Sequence, residues 1–410
     1  MSPEVRGRFK ASETICTADM AARMLGKWAI EGVYCDAGHE DERYSVRRVR
    51  DCVLIWPNPA DASPGDLMTE TPQADSETFV DLYTRNGFAG ATGTIIRSHY
   101  APPYARIKGE YAPRRLDVAT SDALFESAGE LPVAVLEGDG VSIELAFRSK
   151  PSFAAVRNVF ADEIHYILEG SGRLETDFGV LEVNAGDFIL LPRAVTYRFA
   201  AITSPIREIL VVTSSEMVLD PQPAIALDTD KHVDIPIPDP TRRSKGEYQI
   251  IIRHGAEFTT YFFEDDPMPC VETDGAQIVR RFSFENVPYL TFEQTGPFPP
   301  KLFDDSTTNV LLFNLSNRKS PRPPVHHNAD YDELVFYVAG PGHYGLVDKP
   351  GTIMWTPKGI VHHGPSEDVP DGYKAFLVET RSSMRITPAG KTIAALMETG
   401  LFGIFDNEES

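Results

Sequence analysis

The chain has 410 residues, enough for two or three domains or for one large duplicated one. Its 60 acidic residues against 39 basic ones give a net charge of −21, which argues against general binding to nucleic-acid phosphates. No segment reaches the ~18 consecutive apolar residues of a membrane span, and the first residues lack the apolar stretch of a secretory signal. Its four cysteines lie far apart without a C-x-x-C pair, which argues against a zinc ribbon or a disulfide scaffold. We therefore expect a cytoplasmic protein without membrane or nucleic-acid partners.

The N-terminal region carries three predicted elements. Residues 17–32 predict a helix, because a threonine can cap its start, large apolar residues fall on one face and a glycine can end it. Residues 45–56 predict a strand, and residues 57–79, rich in Pro, Asp, Ser and Thr, predict a long loop. Asn86-Gly87 then predicts a turn, after which a β-rich region begins.

Two later stretches share one pattern. Glu163 and Glu333 each begin an alternating apolar strand, and a glycine follows seven residues later in both. A second strand follows each, running from Gly186 to Pro192 and from Gly351 to Pro357. This repetition indicates an internal duplication. We therefore predict an all-β fold of two small antiparallel β-barrels of the jelly-roll type, with a few short helices.

The predicted domain boundaries follow from this duplication. A proline- and charge-rich stretch separates the repeats and reads as a linker. The predicted divisions are an N-terminal segment at 1–84, a first barrel at 85–215, a linker at 216–246, a second barrel at 247–385, and a C-terminal helix and tail at 386–410.

Histidines concentrate in the second barrel. Five of the ten lie between residues 326 and 363. Two of these form the pair His326-His327, six to seven residues before Glu333, and two form the pair His362-His363 on a later hairpin. Two imidazoles and one carboxylate are the ligand set of non-haem Fe(II) oxygenases. Nitrogen and oxygen ligands without thiolate also favour iron or manganese over structural zinc.

Only one member of each histidine pair can face the same point, because neighbouring side chains on a strand point to opposite faces. The first barrel has Arg157 and Asn158 before its glutamate and Tyr197 in the place of His362. It therefore lacks the histidines of the second barrel. We predict one metal site per chain, in the second barrel, and a metal-free first barrel.

The motifs around the histidines resemble those of homogentisate 1,2-dioxygenases, a bicupin family within the cupin superfamily. The resemblance covers most of residues 85–385, and its specific motifs are Pro323-Pro324-Val325-His326-His327 with Glu333, Gly342-His343-Tyr344, and His363-Gly364-Pro365. It implies that Fe(II) is bound by His327, Glu333 and His363. It also implies that Tyr344 and His363 bind substrate. The general cupin pattern instead selects His362, five residues after Pro357, and this alternative stays open.

The resemblance implies an extradiol-type ring cleavage, in which O₂ and homogentisate or a related hydroquinone-type aromatic acid are the small-molecule partners. His343 and His362 are the candidates for the catalytic base. The family's assembly implies a homo-oligomer, a trimer or a hexamer. An acid side chain on the ring would need a cationic partner, for which the candidates are Arg280, Arg281, Arg318 and Arg322.

Two other functions stay open at this point. The first is a metal cupin dioxygenase that acts on gentisate, another substituted hydroquinone or a dicarbonyl compound. The second is a non-catalytic cupin that binds a small molecule without stoichiometric metal. The histidine–glutamate set favours the enzyme.

Overall fold

The structure is a computed structural model. It describes residues 44–49, 52–57, 78–87, 90–100, 102, 104–128, 131–239, 245–273, 278–290, 299–305, 307–316, 325–341, 345–363 and 373–405. The helix predicted at 17–32 and most of the loop predicted at 57–79 lie outside the described residues. None of the described helices is long and apolar enough to span a bilayer.

Strands make up most of the described chain. Up to residue 191 they are β1 (Tyr44–Val49), β2 (Cys52–Pro57), β3 (Phe79–Thr84), β4 (Thr92–Arg97), β5 (Arg114–Asp117), β6 (Val133–Gly138), β7 (Val141–Arg148), β8 (Ala155–Asn158), β9 (Asp162–Thr176), β10 (Gly179–Asn184) and β11 (Asp187–Leu191). The next are β12 (Thr196–Thr213), β13 (Met217–Gln222), β14 (Lys245–His254), β15 (Glu257–Asp265), β16 (Arg280–Ser283), β17 (Lys301–Asp305) and β18 (Val310–Asn314). The last are β19 (His326–Asn328), β20 (Asp332–Ala339), β21 (Thr352–Thr356), β22 (Lys374–Thr380), β23 (Arg385–Ile386) and β24 (Ala394–Leu396).

Within the ranges given above, helices are few and short. They are α1 (Asp122–Ala128), α2 (Thr229–His232) and α3 (Pro388–Lys391), with 3₁₀ turns at Val118–Thr120, Ala224–Ala226 and Phe284–Asn286. The prediction of a mainly β fold with a few short helices is therefore confirmed.

Two large sheets hold most of the strands. Sheet I has the order β15-β14-β8-β12-β7-β6-β23, and β9 joins it by pairing with β12 and carries β10 and β11, with β16 paired to β11. Sheet II has the order β13-β17-β18-β22-β20-β21-β5-β24. A third, small sheet consists of β19, β3 and β4. Within the described chain, each large sheet therefore takes strands from both halves of the sequence, and the predicted domain boundaries stay a prediction.

An apolar core lies between sheets I and II. Tyr166 and Phe188 of sheet I contact Phe376 of sheet II, with ring centroids 5.3 and 5.2 Å apart. Phe336 stacks on Phe376 at 4.5 Å. The alternation along β20 explains this arrangement, because Leu334, Phe336 and Val338 face the shared core while Val335 and Tyr337 face a separate core of sheet II. Glu333 lies on the same face as Val335 and Tyr337.

Hydrogen bonds repeat in the two sheets as the predicted duplication requires. Asp162, the first residue of β9, accepts hydrogen bonds from the backbone N–H groups of Arg193 and Met217. Asp332, the first residue of β20, accepts them from Lys358 and Met384. In each sheet one of these donors directly follows a proline of the repeat: Arg193 follows Pro192, and Lys358 follows Pro357.

Some local predictions differ from the structure. The strand predicted at 45–56 is a hairpin of β1 and β2. The segment predicted as a linker contains β13, which pairs with β17. The predicted C-terminal helix is limited to α3, and β24 follows it because Ala394–Leu396 pair with β5 at the edge of sheet II. The predicted turn at Asn86-Gly87 is confirmed, because both residues have positive φ, 53° and 58°.

Candidate metal centre

Two histidines lie side by side because their backbones pair. His326 of β19 and His362 form an isolated antiparallel bridge, in which the N–H of each donates to the C=O of the other at 3.0 and 2.8 Å. Their ring centroids are 4.1 Å apart, and both residues are 3% exposed. The backbone therefore fixes two buried imidazoles at one point.

Glu333 brings a carboxylate to the same point. Its Oε2 is 3.1 Å from Nε2 of His362, and its Oε1 is 3.7 Å from Nε2 of His326. Ligand atoms of these three residues all lie within 4.8 Å of one another. Asn328, two residues after His326 and so on the same face of β19, donates from Nδ2 to Glu333 Oε1 at 3.4 Å. This amide orients the carboxylate.

The backbone also sets the tautomer of His362. Its Nδ1 is 2.9 Å from the carbonyl oxygen of Ile360, so Nδ1–H donates there and Nε2 is the ring nitrogen that faces Glu333. Histidines that bind metals commonly make this kind of second hydrogen bond. Burial opposes charge on His362, but the Glu333 carboxylate outweighs it and raises the pKa of His362 above its ordinary value. Burial likewise opposes charge on Glu333, yet His362 and His326 hold the pKa of Glu333 well below its usual range.

The set fits a divalent transition metal. It offers two imidazoles and one carboxylate without thiolate, which suits iron or manganese and leaves further coordination positions for other ligands. Among the described residues, this is the one group of three such side chains that could hold a metal ion.

A second carboxylate lies beside this set. Glu379 of β22 is the direct cross-strand partner of Glu333 in the pairing of β20 with β22. Burial, followed by the charge of Glu333, raises the pKa of Glu379 to about 8. A Cβ at Gly87 would lie 3.2 Å from Glu379 Oε2, so the turn after β3 lies against this partly buried carboxylate.

The histidines that the structure places beside Glu333 are His326 and His362, the members of each pair that the motif resemblance did not select. His327 points to the opposite side of β19 from His326, and its Nδ1 is 2.9 Å from Asp81 Oδ1. Nδ1 of His363 is 3.4 Å from the Tyr100 hydroxyl, and the backbone N–H of His363 donates to the carbonyl of Thr399. Neither His327 nor His363 joins the group of ligand atoms around Glu333. Their sequence neighbours, His326 and His362, belong to this group instead.

The structure describes only some of the remaining predicted site residues. His343 and Tyr344 lie outside the described residues, as do Arg318 and Arg322. Arg281 forms ion pairs with Asp187 and Asp234, through which β16 is tied to sheet I. Arg280 also lies on β16. The two arginines of this group that the structure describes therefore lie on sheet I, whereas Glu333 lies on sheet II.

The equivalent point of sheet I has the same backbone pairing and the same asparagine–glutamate hydrogen bond, which we call the frame, but its other side chains differ. Asn158 donates to Glu163 Oε1 at 2.8 Å, as Asn328 does to Glu333. Tyr197 pairs through its backbone with Val156, as His362 does with His326, and its hydroxyl donates to Glu163 Oε2 at 2.8 Å. His165 fills the space between Glu163 and Glu208, 3.0 and 2.7 Å from them.

This correspondence is the signal that could have selected the histidines from the sequence. Asn158 and Asn328 each lie five residues before a glutamate, and aligning them places His326 opposite Val156. The same count of five from each proline places His362 opposite Tyr197. The motif resemblance selected the neighbouring residue in both cases.

Comparisons with known proteins add two kinds of relative. No protein-family model matches the chain. A protein of Saccharolobus solfataricus named "Putative dioxygenase" is 24% identical over 197 residues, which are 45% of this chain and 51% of that protein. The chain thus spans about half the length of this curated relative.

Solved structures in the comparison include cupin barrels. A cupin 2 conserved barrel domain protein from Leptotrichia buccalis matches 68% of this chain and 100% of its own, with a TM-score of 0.38 and 14% identity. A salicylate 1,2-dioxygenase from Pseudaminobacter salicylatoxidans matches 69% of this chain and 90% of its own, with a TM-score of 0.36 and 10% identity.

Proposed function

We propose that this chain is an Fe(II)-dependent dioxygenase of the cupin type, with His326, Glu333 and His362 as its metal ligands. The observation that carries the proposal is the convergence of these three side chains within 4.8 Å. The relative named as a dioxygenase and the motif resemblance support the same reaction class. The two-histidine, one-carboxylate set is the one that non-haem Fe(II) oxygenases use.

The substrate that we propose is homogentisate or a related hydroquinone-type aromatic acid. Its ring would be cleaved with both atoms of O₂ entering the product, so that no external reductant is needed. An Fe(II) ion held by the three ligands would supply a redox-active Lewis acid at which the aromatic diol and O₂ react. The support for this substrate class is the resemblance of the motifs around Glu333.

The chain's own residues prepare the centre. The carbonyl of Ile360 accepts a hydrogen bond from Nδ1–H of His362, so Nε2 is the nitrogen that would bind the metal. The Asn328 amide holds the Glu333 carboxylate at its Oε1. The near-complete burial of His326 and His362 limits access of water from their side. These groups pre-orient the ligands, which is the usual task of the residues around a metal centre.

The test is anaerobic loading with Fe(II), metal analysis, and O₂ uptake with a panel of hydroquinone acids, gentisate, salicylate and simple hydroquinones. We expect one Fe(II) per chain, one O₂ consumed per substrate, and two ¹⁸O atoms in the product by mass spectrometry. A Glu333→Gln protein should lose both iron and O₂ uptake. Failure to bind iron would contradict the metal proposal. Iron-loaded protein that consumes no O₂ with any member of the panel would contradict ring cleavage and leave the other cupin functions.

A homo-oligomer and a cytoplasmic location belong to the same proposal. They follow from the motif resemblance and from the composition of the chain. Light scattering at micromolar concentration tests the first, and a monomer would contradict it.

A further inference from the structure

We infer that Glu379 is a second carboxylate of the metal centre, whose negative charge faces the bound cation together with that of Glu333. This inference rests on the proposed metal site at His326, Glu333 and His362, and it adds a residue that the motif resemblance does not contain. It arises from the pairing of β20 with β22.

The first argument is register. Glu333 and Glu379 are directly opposite each other in the antiparallel pair β20–β22. Directly opposed residues share a face of the sheet, with Cβ atoms roughly 4.5–5.5 Å apart. The neighbours confirm the face, because Leu377 of β22 and Val335 of β20 both belong to the core on that side of sheet II. The two carboxylates therefore face the same space.

The second argument is charge. Like charges directly opposite each other destabilise a sheet, and desolvation increases the cost. Within the described ranges, the Glu379 carboxylate has no hydrogen-bond or ion-pair partner, and its direct cross-strand neighbour is the carboxylate of Glu333. A cation between or beside the two carboxylates removes this repulsion. A fully exposed acid would need no such partner, but Glu379 is partly buried and Gly87 lies against it.

The comparison of the two sheets gives the third argument. In sheet I, Val212 of β12 lies opposite Glu163, in the place that Glu379 takes opposite Glu333. The frame of the repeat therefore needs no acid at this position, since sheet I has an apolar side chain there. The acid occurs in the sheet that also carries His326 and His362. The acid thus occurs together with the metal ligands and is not a requirement of the repeated fold.

Glu379 acts on the metal through its charge or through a ligand water, because it is not part of the closest group of ligand atoms. Outer residues of this kind typically contribute a factor of about 10–100 in metal affinity. We therefore expect Glu379→Gln to weaken metal binding by about 10–100-fold.

The experiment measures binding of Mn(II), a redox-stable probe, to chelator-treated protein by electron paramagnetic resonance, with anaerobic Fe(II) binding as a second probe. The variants are Glu379→Gln, Glu333→Gln and, as a matched control, Glu182→Gln. Glu182 is an exposed residue of β10 in sheet I, so its change removes the same charge outside sheet II. Thermal unfolding of each metal-free protein reports folding, and Gln preserves the shape of the side chain. The metal-free Glu379→Gln protein should therefore melt within a few degrees of the unchanged protein.

The outcomes separate the two proposals. Weak binding by Glu379→Gln, with full binding by Glu182→Gln, supports the inference. Equal binding by the unchanged protein and Glu379→Gln overturns it and leaves the metal proposal intact. Absence of Mn(II) and Fe(II) binding by the unchanged protein overturns the metal proposal itself. Should Glu379→Gln not fold, the comparison is made between Glu379→Asp, which keeps the charge on a shorter side chain, and Glu379→Ala, which removes it. Unchanged metal affinity in both variants would overturn the inference.

Discussion

The orientation of single side chains on β19 decides which histidines reach Glu333. His326 and His327 are adjacent, so one faces Glu333 and the other faces Asp81. We expect His326→Ala and His362→Ala to lose bound Fe(II), because each removes one nitrogen ligand from a set of three. The adjacent changes His327→Ala and His363→Ala are matched controls and should keep the metal. Metal analysis after anaerobic loading, with circular dichroism to check folding, measures the effect.

The reverse pattern would restore the ligand set implied by the motif resemblance. Loss of iron in His327→Ala and His363→Ala, with retention in the neighbouring variants, would show that the metal-loaded protein uses the other faces of these strands.

A buried histidine in sheet I carries its own testable charge. His165 is 0% exposed and lies between the carboxylates of Glu163 and Glu208. Burial opposes its charge, but the hydrogen bonds that the ring donates to both glutamates outweigh this and raise the pKa of His165 to about 9. A raised pKa means that the folded protein binds the proton more tightly than the unfolded chain. The stabilisation is therefore complete below pH ~6.5 and is lost as the pH rises through about 9.

We expect His165→Gln to lower the free energy of unfolding by about 3–5 kcal/mol at pH 7, because it leaves two buried carboxylates without their shared cation. The variant should also lose the part of the pH dependence between pH ~6.5 and 9 that belongs to this proton. Urea unfolding at several pH values measures both effects. His232→Gln, on the half-exposed helix α2, is the control and should keep the slope; an unchanged slope in His165→Gln would contradict the assignment.

At the scale of elements, the hairpin of β3 and β4 holds the strand that carries His326. β19 pairs in parallel with β3, and Asp81 of β3 accepts hydrogen bonds from both His327 and Arg97. Asp81 is 1% exposed, so its ion pair is shielded from water. We expect Asp81→Asn to cost about 1–3 kcal/mol of stability and to weaken Mn(II) binding, because the strand loses a fixed contact.

Asp330→Asn is the matched control for this hairpin. Its ion pair joins Asp330 to Arg85, whose side chain is 51% exposed, and exposed pairs contribute about 0–1 kcal/mol. Urea unfolding and Mn(II) titration of both variants test the comparison. Equal effects of the two changes would show that the hairpin does not act through the buried Asp81.

Local patterns in the sequence predict some elements well and others poorly. Alternating residues predict the repeated strands, and Asn-Gly predicts the turn, because both depend on nearest neighbours. The C-terminal segment differs because pairing of Ala394–Leu396 with β5 outweighs its helical pattern. The choice between His326 and His327 depends on which side of β19 meets β20, and that is set by contacts between distant segments. Glu379 escapes prediction for the same reason, since its importance comes from the register opposite Glu333.

At the scale of the whole molecule, sheets I and II share this frame but differ in the side chains around its glutamate. Both copies keep an asparagine that donates to a glutamate, at Asn158–Glu163 and Asn328–Glu333. Sheet II adds two histidines to this frame. Sheet I instead fills it with Tyr197 and His165, whose protonated ring lies where it can neutralise Glu163 and Glu208. An internal cation thus takes the electrostatic role in sheet I that we propose for the metal in sheet II.

This view predicts that a second metal site can be built. The triple change Val156→His, His165→Val and Tyr197→His gives sheet I the side chains of His326, Val335 and His362 around Glu163. Because Val156 and Tyr197 already pair through their backbones, the new imidazoles should lie side by side as in sheet II. We expect Mn(II) binding to rise from one to two ions per chain, with the second site weaker because Arg253 lies 3.9 Å from Glu163.

Adding Glu163→Gln to the triple change provides the control for this second site. It should return the stoichiometry to one ion, because it removes the carboxylate that corresponds to Glu333. Titration of both proteins with Mn(II), beside circular dichroism, gives the answer. A folded triple variant that still binds one ion would mean that the two frames differ in more than these three side chains, and that the site of sheet II depends on features without a counterpart in sheet I, of which Glu379 is the first to examine.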